Sequence, residues 1–181
     1  AVSNLTEVDS AKGVKGSVAV TISGGTFSID AADDAIHSNG TIDIDGGTFS
    51  IATGDDGFHA DADLAVNSGT IDITASYEGI EGAVITINGG DIHIVSSDDG
   101  INVAGGSDDY TAAISDVATR FPGGDNTFLH DGDTFTDSGD YQLYINDGTI
   151  VIDADGDGLD SNGTIEMNGG VVIINGPTDS A

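Results

Sequence analysis

Acidic residues recur along this chain at an almost constant interval, and they are the side chains best placed to do chemistry. One set lies two positions before a large apolar residue, with successive separations of 22, 22, 21 and 58 residues. Its members are Asp34, Asp56, Glu78, Asp99 and Asp157. Neighbouring acids are Asp33, Asp55, Asp98, Asp155 and Asp160. Because a fixed period of this length is typical of stacked repeats, we expect each set to form a vertical column.

Stacked carboxylates need neutralisation. Adjacent coils of a parallel β-structure lie about 4.8 Å apart, and two like charges at that separation repel by roughly 3.5 kcal/mol at an effective dielectric near 20. The basic residues of the chain are Lys12, Lys15 and Arg120, so we expect that side-chain cations cannot neutralise the columns. Raised carboxylate pKa values, backbone amide hydrogen bonds and bound cations are the remaining remedies.

Calcium is the cation that best fits these columns, because it takes six to eight oxygen ligands with tolerant geometry. The predicted ligands are Asp33, Asp34, Asp55, Asp56, Glu78, Asp98, Asp99, Asp155, Asp157 and Asp160. An Asp-Asp-Gly sequence at residues 55–57 and 98–100 also predicts a tight turn that directs carbonyl groups at an ion.

Zinc fits this pattern less well. His37 and His59 align with each other, but their column continues as Glu81, Asn102 and Asp160. We therefore expect the two histidines to be exposed residues that hold no metal.

The scaffold for these columns is predicted from glycines and apolar residues. Glycine recurs at Gly25, Gly47, Gly69, Gly90, Gly148 and Gly170, and apolar residues at i and i+2 within each repeat share one strand face. The pattern predicts an all-β, single-stranded parallel β-helix of about six coils, each of about 22 residues with three short strands. The crossover rule favours a right-handed helix. Residues 1–17 are predicted to be an N-terminal tail or cap, and residues 18–181 the β-helix, with a loop insertion at about 105–140.

A separate polar column precedes the glycine corners. It contains Ser23, Asp45, Asn67, Asn88, Asn146 and Asn168. Asparagines in register predict a ladder of side-chain amide hydrogen bonds between coils. We interpret this column as structural.

Composition limits the partners and the compartment. The chain has 32 Asp plus Glu against 3 Lys plus Arg and a net charge of -29, so nucleic acid and anionic membranes are poor partners. It lacks cysteine, which excludes disulfides and thiolate metal sites. No apolar stretch approaches membrane-spanning length, so membrane insertion is not expected. Because the sequence starts with Ala1 and not Met, we expect a mature secreted protein.

Three segments carry a resemblance to a known family: residues 97–106, 144–152 and 155–163. Together they resemble the clostridial carbohydrate-binding β-helix family, and the likeness extends over about residues 18–178. Its members are secreted right-handed solenoids, similar in structure to pectate lyases, with bound calcium and an affinity for acidic and plant cell-wall polysaccharides. The resemblance implies carbohydrate binding for this chain and calcium at the acidic columns.

The insertion is the place where a sugar site could have its aromatic and directional polar groups. We expect Tyr110 and Arg120 in this loop, together with Asn102, to contact carbohydrate. Calcium held by the columns would share its remaining positions with uronate oxygens of a polygalacturonate-like chain.

Two alternatives remain open. A polysaccharide lyase would need a basic residue as proton acceptor, and no lysine lies in a predicted coil, so we expect a protein without enzymatic activity. A structural subunit is the other possibility, because unpaired strand edges at the ends of a solenoid favour head-to-tail self-association into a filament.

Overall fold

The computed structural model of the protein describes residues 11–104 and 140–177. Within these ranges every regular element is a β-strand, and all strand pairs are parallel. The chain forms a β-solenoid of about six turns. The all-β, stacked parallel architecture predicted from the period is therefore confirmed. None of the described residues forms a helix of the length and apolarity that a membrane span requires.

Each coil contributes strands at three positions. The first two positions belong to one ten-stranded sheet, and the third forms a six-stranded sheet. The first position is occupied by β1 (Val14–Gly16), β4 (Ile36–Ser38), β11 (Ile101–Val103) and β14 (Leu159–Ser161). The second position is occupied by β2 (Ala19–Ile22), β5 (Thr41–Ile44), β12 (Gln142–Ile145) and β15 (Thr164–Met167). Two longer strands, β7 (Phe58–Val66) and β9 (Ile80–Ile87), run through both positions.

The third position forms the smaller sheet. Its strands are β3 (Thr26–Ala31), β6 (Thr48–Thr53), β8 (Thr70–Ser76), β10 (Asp91–Ser96), β13 (Thr149–Ala154) and β16 (Val171–Asn175). The register of these strands pairs residues one period apart, as Phe27 with Phe49 and Ile92 with Ile150. The chain crosses the 105–139 interval and resumes in register, since β12 pairs with β9.

The interior is filled by the predicted apolar columns. Ile36, Ile51, Ile80, Ile94 and Ile152 have no exposed surface. Phe27 and Phe49 stack with ring centroids 4.8 Å apart, which matches the spacing between coils. No single coil buries its own apolar face, so the stacking stabilises the fold.

Glycine has two different roles in this solenoid. The six corner glycines have positive φ, such as 125° at Gly69, which other residues adopt only with strain. Gly57 and Gly100, in the Asp-Asp-Gly sequences, do not have positive φ. A Cβ on Gly57 would lie 2.5 Å from the carbonyl oxygen of Gly79 and 2.6 Å from Ile73 Cδ1. The chain bends at both sequences without a left-handed glycine, and glycine is present there because the next coil leaves no room for a side chain.

The asparagine ladder is confirmed. Each amide Nδ2 donates to the side-chain oxygen one coil earlier: Asn67 to Asp45, Asn88 to Asn67, Asn146 to Asn88 and Asn168 to Asn146, at 2.8–2.9 Å. The ladder lies on the exposed surface and links five coils. These bonds occupy the amides along the stack, which supports the structural interpretation of this column.

Candidate functional site

Backbone hydrogen bonds place the acidic residues in register from coil to coil. The amides of Ala35, Gly57, Gly79 and Gly100 donate to the carbonyl oxygens of Asp56, Glu78, Asp99 and Asp157, at 2.8–3.1 Å. Asp34, Asp56, Glu78, Asp99 and Asp157 therefore form one column at the start of the first strand position. A second set lies three residues later in each coil and contains His37, His59, Glu81, Asn102 and Asp160.

One lysine extends each of these two sets by one coil at the N-terminal end. The amide of Gly13 donates to the carbonyl oxygen of Asp34 at 2.9 Å, so Lys12 occupies the column position one coil before Asp34. In β1, Lys15 pairs with His37. The expectation that no lysine lies in a coil is therefore wrong. The strand β1 also lies inside the segment predicted as a tail or cap.

Asp34 is neutralised by side chains. Lys12 Nζ lies 2.5 Å from Asp34 Oδ2 and 3.4 Å from Asp33 Oδ1, and His37 Nδ1 donates to Asp34 Oδ2 at 2.8 Å. Burial alone raises the pKa of Asp34, but the hydrogen bonds from His37 and Lys12 outweigh it and lower the pKa to about 2. The expectation that side-chain cations could not neutralise the column is wrong at this position.

His59 stands between two carboxylates in the next coil. Its Nδ1 lies 3.0 Å from Asp56 Oδ2 and 3.0 Å from Glu81 Oε2. Burial lowers the pKa of His59, but the hydrogen bonds to Asp56 and Glu81 outweigh it and raise the pKa to about 12. His37 and His59 are 0% and 3% exposed. The two histidines are therefore not exposed bystanders, as the sequence suggested, but the buried partners of Asp34 and Asp56.

From the coil of Glu78 onward the column has oxygen atoms in place of nitrogen cations. Asn102 Nδ2 donates to Glu78 Oε1 at 2.8 Å. Glu78 Oε2 and Asn102 Oδ1 are buried, and neither has a hydrogen-bond partner in the described structure. Burial and the charge of Glu81 raise the pKa of Glu78 to about 8, against the hydrogen bond from Asn102. A carboxylate in this position has no counter-charge among the described residues.

The last coils continue the crowding of carboxylates. The Asp157 amide donates to Asp99 Oδ1 at 2.7 Å. Burial nevertheless raises the pKa of Asp99 to about 6, with further contributions from the charges of Asp98, Asp160 and Asp157. A hydrogen bond to Asp98 is the main reason that the pKa of Tyr77 is raised. Backbone amides, one of the remedies considered for the column, thus compensate it only in part.

The acidic column and the second set beside it lie next to each other along the stack, and from here we call them together the column. This column has two halves of different chemistry. We call Lys12, Asp34, His37, Asp56 and His59 the N-terminal half, in which nitrogen groups pair with the acids. We call Glu78, Glu81, Asp99, Asn102, Asp157 and Asp160 the C-terminal half, in which the side-chain groups facing the acids are oxygens and the Asn102 amide. The two halves meet where His59 contacts Glu81.

The structure brings most of the predicted ligands together along this column. Ligand atoms of Asp33, Asp34 and Asp55 lie within 4.8 Å of one another. Asp98 and Asp99 face the last coil, because a Cβ on Gly156 would lie 2.7 Å and 2.6 Å from their Oδ1 atoms. Asp155 and Asp157 are exposed at the surface. Tyr110 and Arg120, predicted to contact carbohydrate, lie outside the described residues.

Sequence reasoning missed several members of the site. Subtracting one period of 22 residues from Asp34 and His37 gives Lys12 and Lys15, so the signal was present in a segment interpreted as a tail. Glu81 was visible in the histidine column but was not counted as a ligand. Asp61 lies two residues after His59 on β7, and this spacing places both side chains on one strand face.

A shallow groove crosses the outer face of the smaller sheet. It is lined by Thr70, Asp72, Asp91, His93, Thr149 and Val151, among others. His93 lies between two acids, with Nδ1 2.8 Å from Asp72 Oδ1 and Nε2 3.2 Å from Asp153 Oδ2. Its side chain is 41% exposed. This arrangement is an exposed counterpart of the buried His59 cluster.

Comparison with known proteins gives one family match. The model of a family described as "Carbohydrate-binding domain-containing protein" matches residues 1–57. No curated protein and no solved structure matches the chain. The matched segment includes the N-terminal half of the column up to Asp56. The match and the β-solenoid fold fit carbohydrate binding.

Proposed function

We propose that this protein is a secreted carbohydrate-binding solenoid. It binds acidic polysaccharide through calcium ions that are held by the C-terminal half of its column. The observation that carries the proposal is the pair of buried oxygens, Glu78 Oε2 and Asn102 Oδ1, that accept no hydrogen bond within the described residues. Buried acceptors without donors are rare in native proteins, and a bound cation is one way to satisfy them. The family match supports the carbohydrate part of the proposal.

The donor set of the C-terminal half fits calcium. Glu78, Asp99 and Asn102 offer carboxylate and amide oxygens, which are the ligands that calcium prefers. An ion beside them would supply the missing counter-charge and return the raised pKa of Glu78 towards its usual range. Asp98, Asp155, Asp157 and Asp160 supply further carboxylates towards the surface.

Exposure decides where a polymer could reach the ions. Asp155 and Asp157 are exposed, whereas Asp34 and Asp56 are 0% and 4% exposed. An ion near the exposed acids keeps coordination positions for a second ligand, and a uronate carboxylate carries the hard oxygens such an ion takes. An acidic protein thereby binds an acidic polymer, because the ion inverts the local potential.

Lyase chemistry has little support in the described part of the chain. Elimination next to a uronate needs a base close to the ions. Lys12 and Lys15 lie at the opposite end of the column, and the Lys12 side chain is 4% exposed and pairs with Asp34. We therefore propose binding without cleavage.

Calcium-dependent binding is tested by titrating polygalacturonate into the full chain by calorimetry, first with calcium and then with a chelator. The fully methyl-esterified polymer is the control ligand, since it lacks the carboxylate charge that a calcium ion would recognise. We expect binding to require both calcium and free carboxylates, and to weaken at least tenfold in Asp157→Asn. Asp30→Asn, an exposed acid on β3 in the smaller sheet, is the control. Equal affinity in chelator would refute the proposal.

A second candidate function is a structural subunit that associates head to tail. The last coil carries exposed apolar side chains at Ile165, Met167, Val171, Ile173 and Ile174, each between 41% and 53% exposed. Lys15 in the first described coil and Asp160 in the last described coil also lie in one column, so this column has a cation at one end and a carboxylate at the other. Sedimentation velocity of Ile173→Asn against wild type tests this function. Loss of higher oligomers in the variant would support it, and a monomeric wild type would exclude it.

A further inference from the structure

We propose that Asp56, His59 and Glu81, where the two halves of the column meet, form a binding site for a transition-metal ion of the zinc class, separate from the proposed calcium ligands Glu78, Asp99 and Asn102. The three side chains converge on His59 Nδ1, which lies 3.0 Å from both Asp56 Oδ2 and Glu81 Oε2. Their ligand atoms all lie within 4.8 Å of one another. The side chains are 6%, 4% and 13% exposed for Asp56, His59 and Glu81, so Glu81 gives the ion its route from solvent.

The geometry offers more acceptors than one proton can serve. A single N–H at His59 Nδ1 points at one acceptor well, yet two carboxylate oxygens stand at the same 3.0 Å distance. A metal ion at this point would bind both oxygens and the nitrogen lone pair together. Zinc binds nitrogen and oxygen ligands at about 2.0–2.2 Å, which places the ligand atoms of a tetrahedral site roughly 3.3–3.6 Å apart. The two observed separations of 3.0 Å are slightly shorter, so small outward shifts of these side chains would make room for the ion.

Asp61 gives an independent indication of the same arrangement. Its Oδ1 is buried, has no hydrogen-bond partner in the described structure and lies 3.6 Å from His59 Nε2. A metal ion on Nδ1 fixes the imidazole proton on Nε2, which then faces Asp61 Oδ1. A carboxylate that accepts the second ring proton of a ligating histidine is a common feature of metal sites, because it fixes the tautomer and the ring orientation.

The preceding coil explains why the site is at His59 and not at His37. Asp34 and His37 have the same i, i+3 spacing as Asp56 and His59, and they make the corresponding contact at 2.8 Å. There, however, Lys12 Nζ already lies against Asp34 Oδ2. In that coil the lysine ammonium occupies the position that a metal ion would occupy. One coil before Asp56 the equivalent position is held by Asp34 and not by a lysine, and on the following coil His59 pairs with Glu81, a further ligand.

Nitrogen ligation separates this site from the proposed calcium positions. Imidazole favours zinc, copper, nickel and cobalt, whereas calcium takes oxygen ligands. Cobalt(II) is therefore the probe, since its visible absorption reports the coordination geometry. We expect the chelator-treated full chain to bind one cobalt ion with visible absorption bands, and zinc to displace it. A large excess of calcium should leave these bands unchanged.

Matched variants locate the ion. His59→Asn should lower cobalt affinity at least tenfold, and Glu81→Gln should lower it in the same direction. His93→Asn is the control, because His93 also lies between two acids but is exposed on the smaller sheet. Equal losses in His59→Asn and His93→Asn would overturn the assignment, as would the absence of cobalt binding by wild type.

A measurement on wild type keeps the test independent of the variants' folding. X-ray absorption at the zinc edge should show the multiple-scattering pattern of an imidazole together with nitrogen and oxygen ligands at about 2.0–2.2 Å. A first shell of oxygen alone would overturn the proposal. Failure of polysaccharide binding would not affect it, since that assay concerns ions at Glu78 and at the exposed acids around Asp157.

Discussion

Replacement of Glu78 by glutamine tests whether the C-terminal half is held at an electrostatic cost when no metal is bound. Burial and Glu81 raise the pKa of Glu78 from 4.5 to about 8. A carboxyl group whose pKa is higher in the folded state stabilises the fold below the unfolded pKa, and this contribution is lost as the pH rises through the folded pKa. Each pKa unit corresponds to about 1.4 kcal/mol. Between pH 5 and pH 8, ionisation of Glu78 would therefore remove up to roughly 4 kcal/mol.

The assay is urea denaturation of the full chain in chelator at several pH values between 5 and 8. We expect the wild-type unfolding free energy to fall with rising pH, and Glu78→Gln to remove most of that fall because the amide cannot ionise. In calcium, wild type gains stability at pH 8 by ligand linkage, and Glu78→Gln gains less. The ranking of the two proteins by unfolding free energy at pH 8 is therefore the reverse of that in chelator. Glu166→Gln, an exposed glutamate on β15, should behave as wild type. Identical pH dependence of wild type and Glu78→Gln in chelator would refute the reasoning.

Three further predictions concern the N-terminal half and the scaffold. Lys12→Met leaves Asp34 buried without its ammonium partner, so the unfolding free energy at pH 7 should fall by about 3 kcal/mol. Lys15 is exposed, so Lys15→Met should change the unfolding free energy little. Equal effects of the two substitutions would contradict the assigned pairing. Gly57→Ala places a methyl group 2.5 Å from the Gly79 carbonyl oxygen and should cost about 1–3 kcal/mol in thermal denaturation. Gly46→Ala, whose nearest neighbour would be 3.4 Å away, is its control, and equal melting temperatures would contradict the steric explanation. Asn88→Ala removes two ladder bonds and should cost about 1 kcal/mol for each; an unchanged urea midpoint would show that the ladder contributes nothing.

The scaffold could be predicted from the sequence because a period fixes which residues stack. Adding 22 to Phe27 gives Phe49, and the rings do stack at 4.8 Å. The same addition gave the asparagine ladder and the acidic column. Backbone register follows directly from such a period, since parallel coils pair equivalent residues.

The chemistry of the column could be predicted only in part. The period does not say which side chains are buried, so His37 and His59 were expected on an exposed face and lie in the interior. Their burial depends on how the coils and their neighbours pack in three dimensions. Lys12 was within reach of the same arithmetic, but its segment lacked the apolar pattern that identifies a coil. The role of Gly57 depends on a contact with the next coil, which composition does not indicate.

Crystallographic location of calcium tests the central claim most directly. Anomalous difference maps from crystals grown with calcium, recorded at a long wavelength, show the ions without a variant or a ligand. We predict peaks within coordination distance of Glu78, Asn102 and the acids around Asp99 and Asp157. A map in which these side chains carry no peak, and in which Glu78 Oε2 and Asn102 Oδ1 bond to water or to protein donors, would contradict the account.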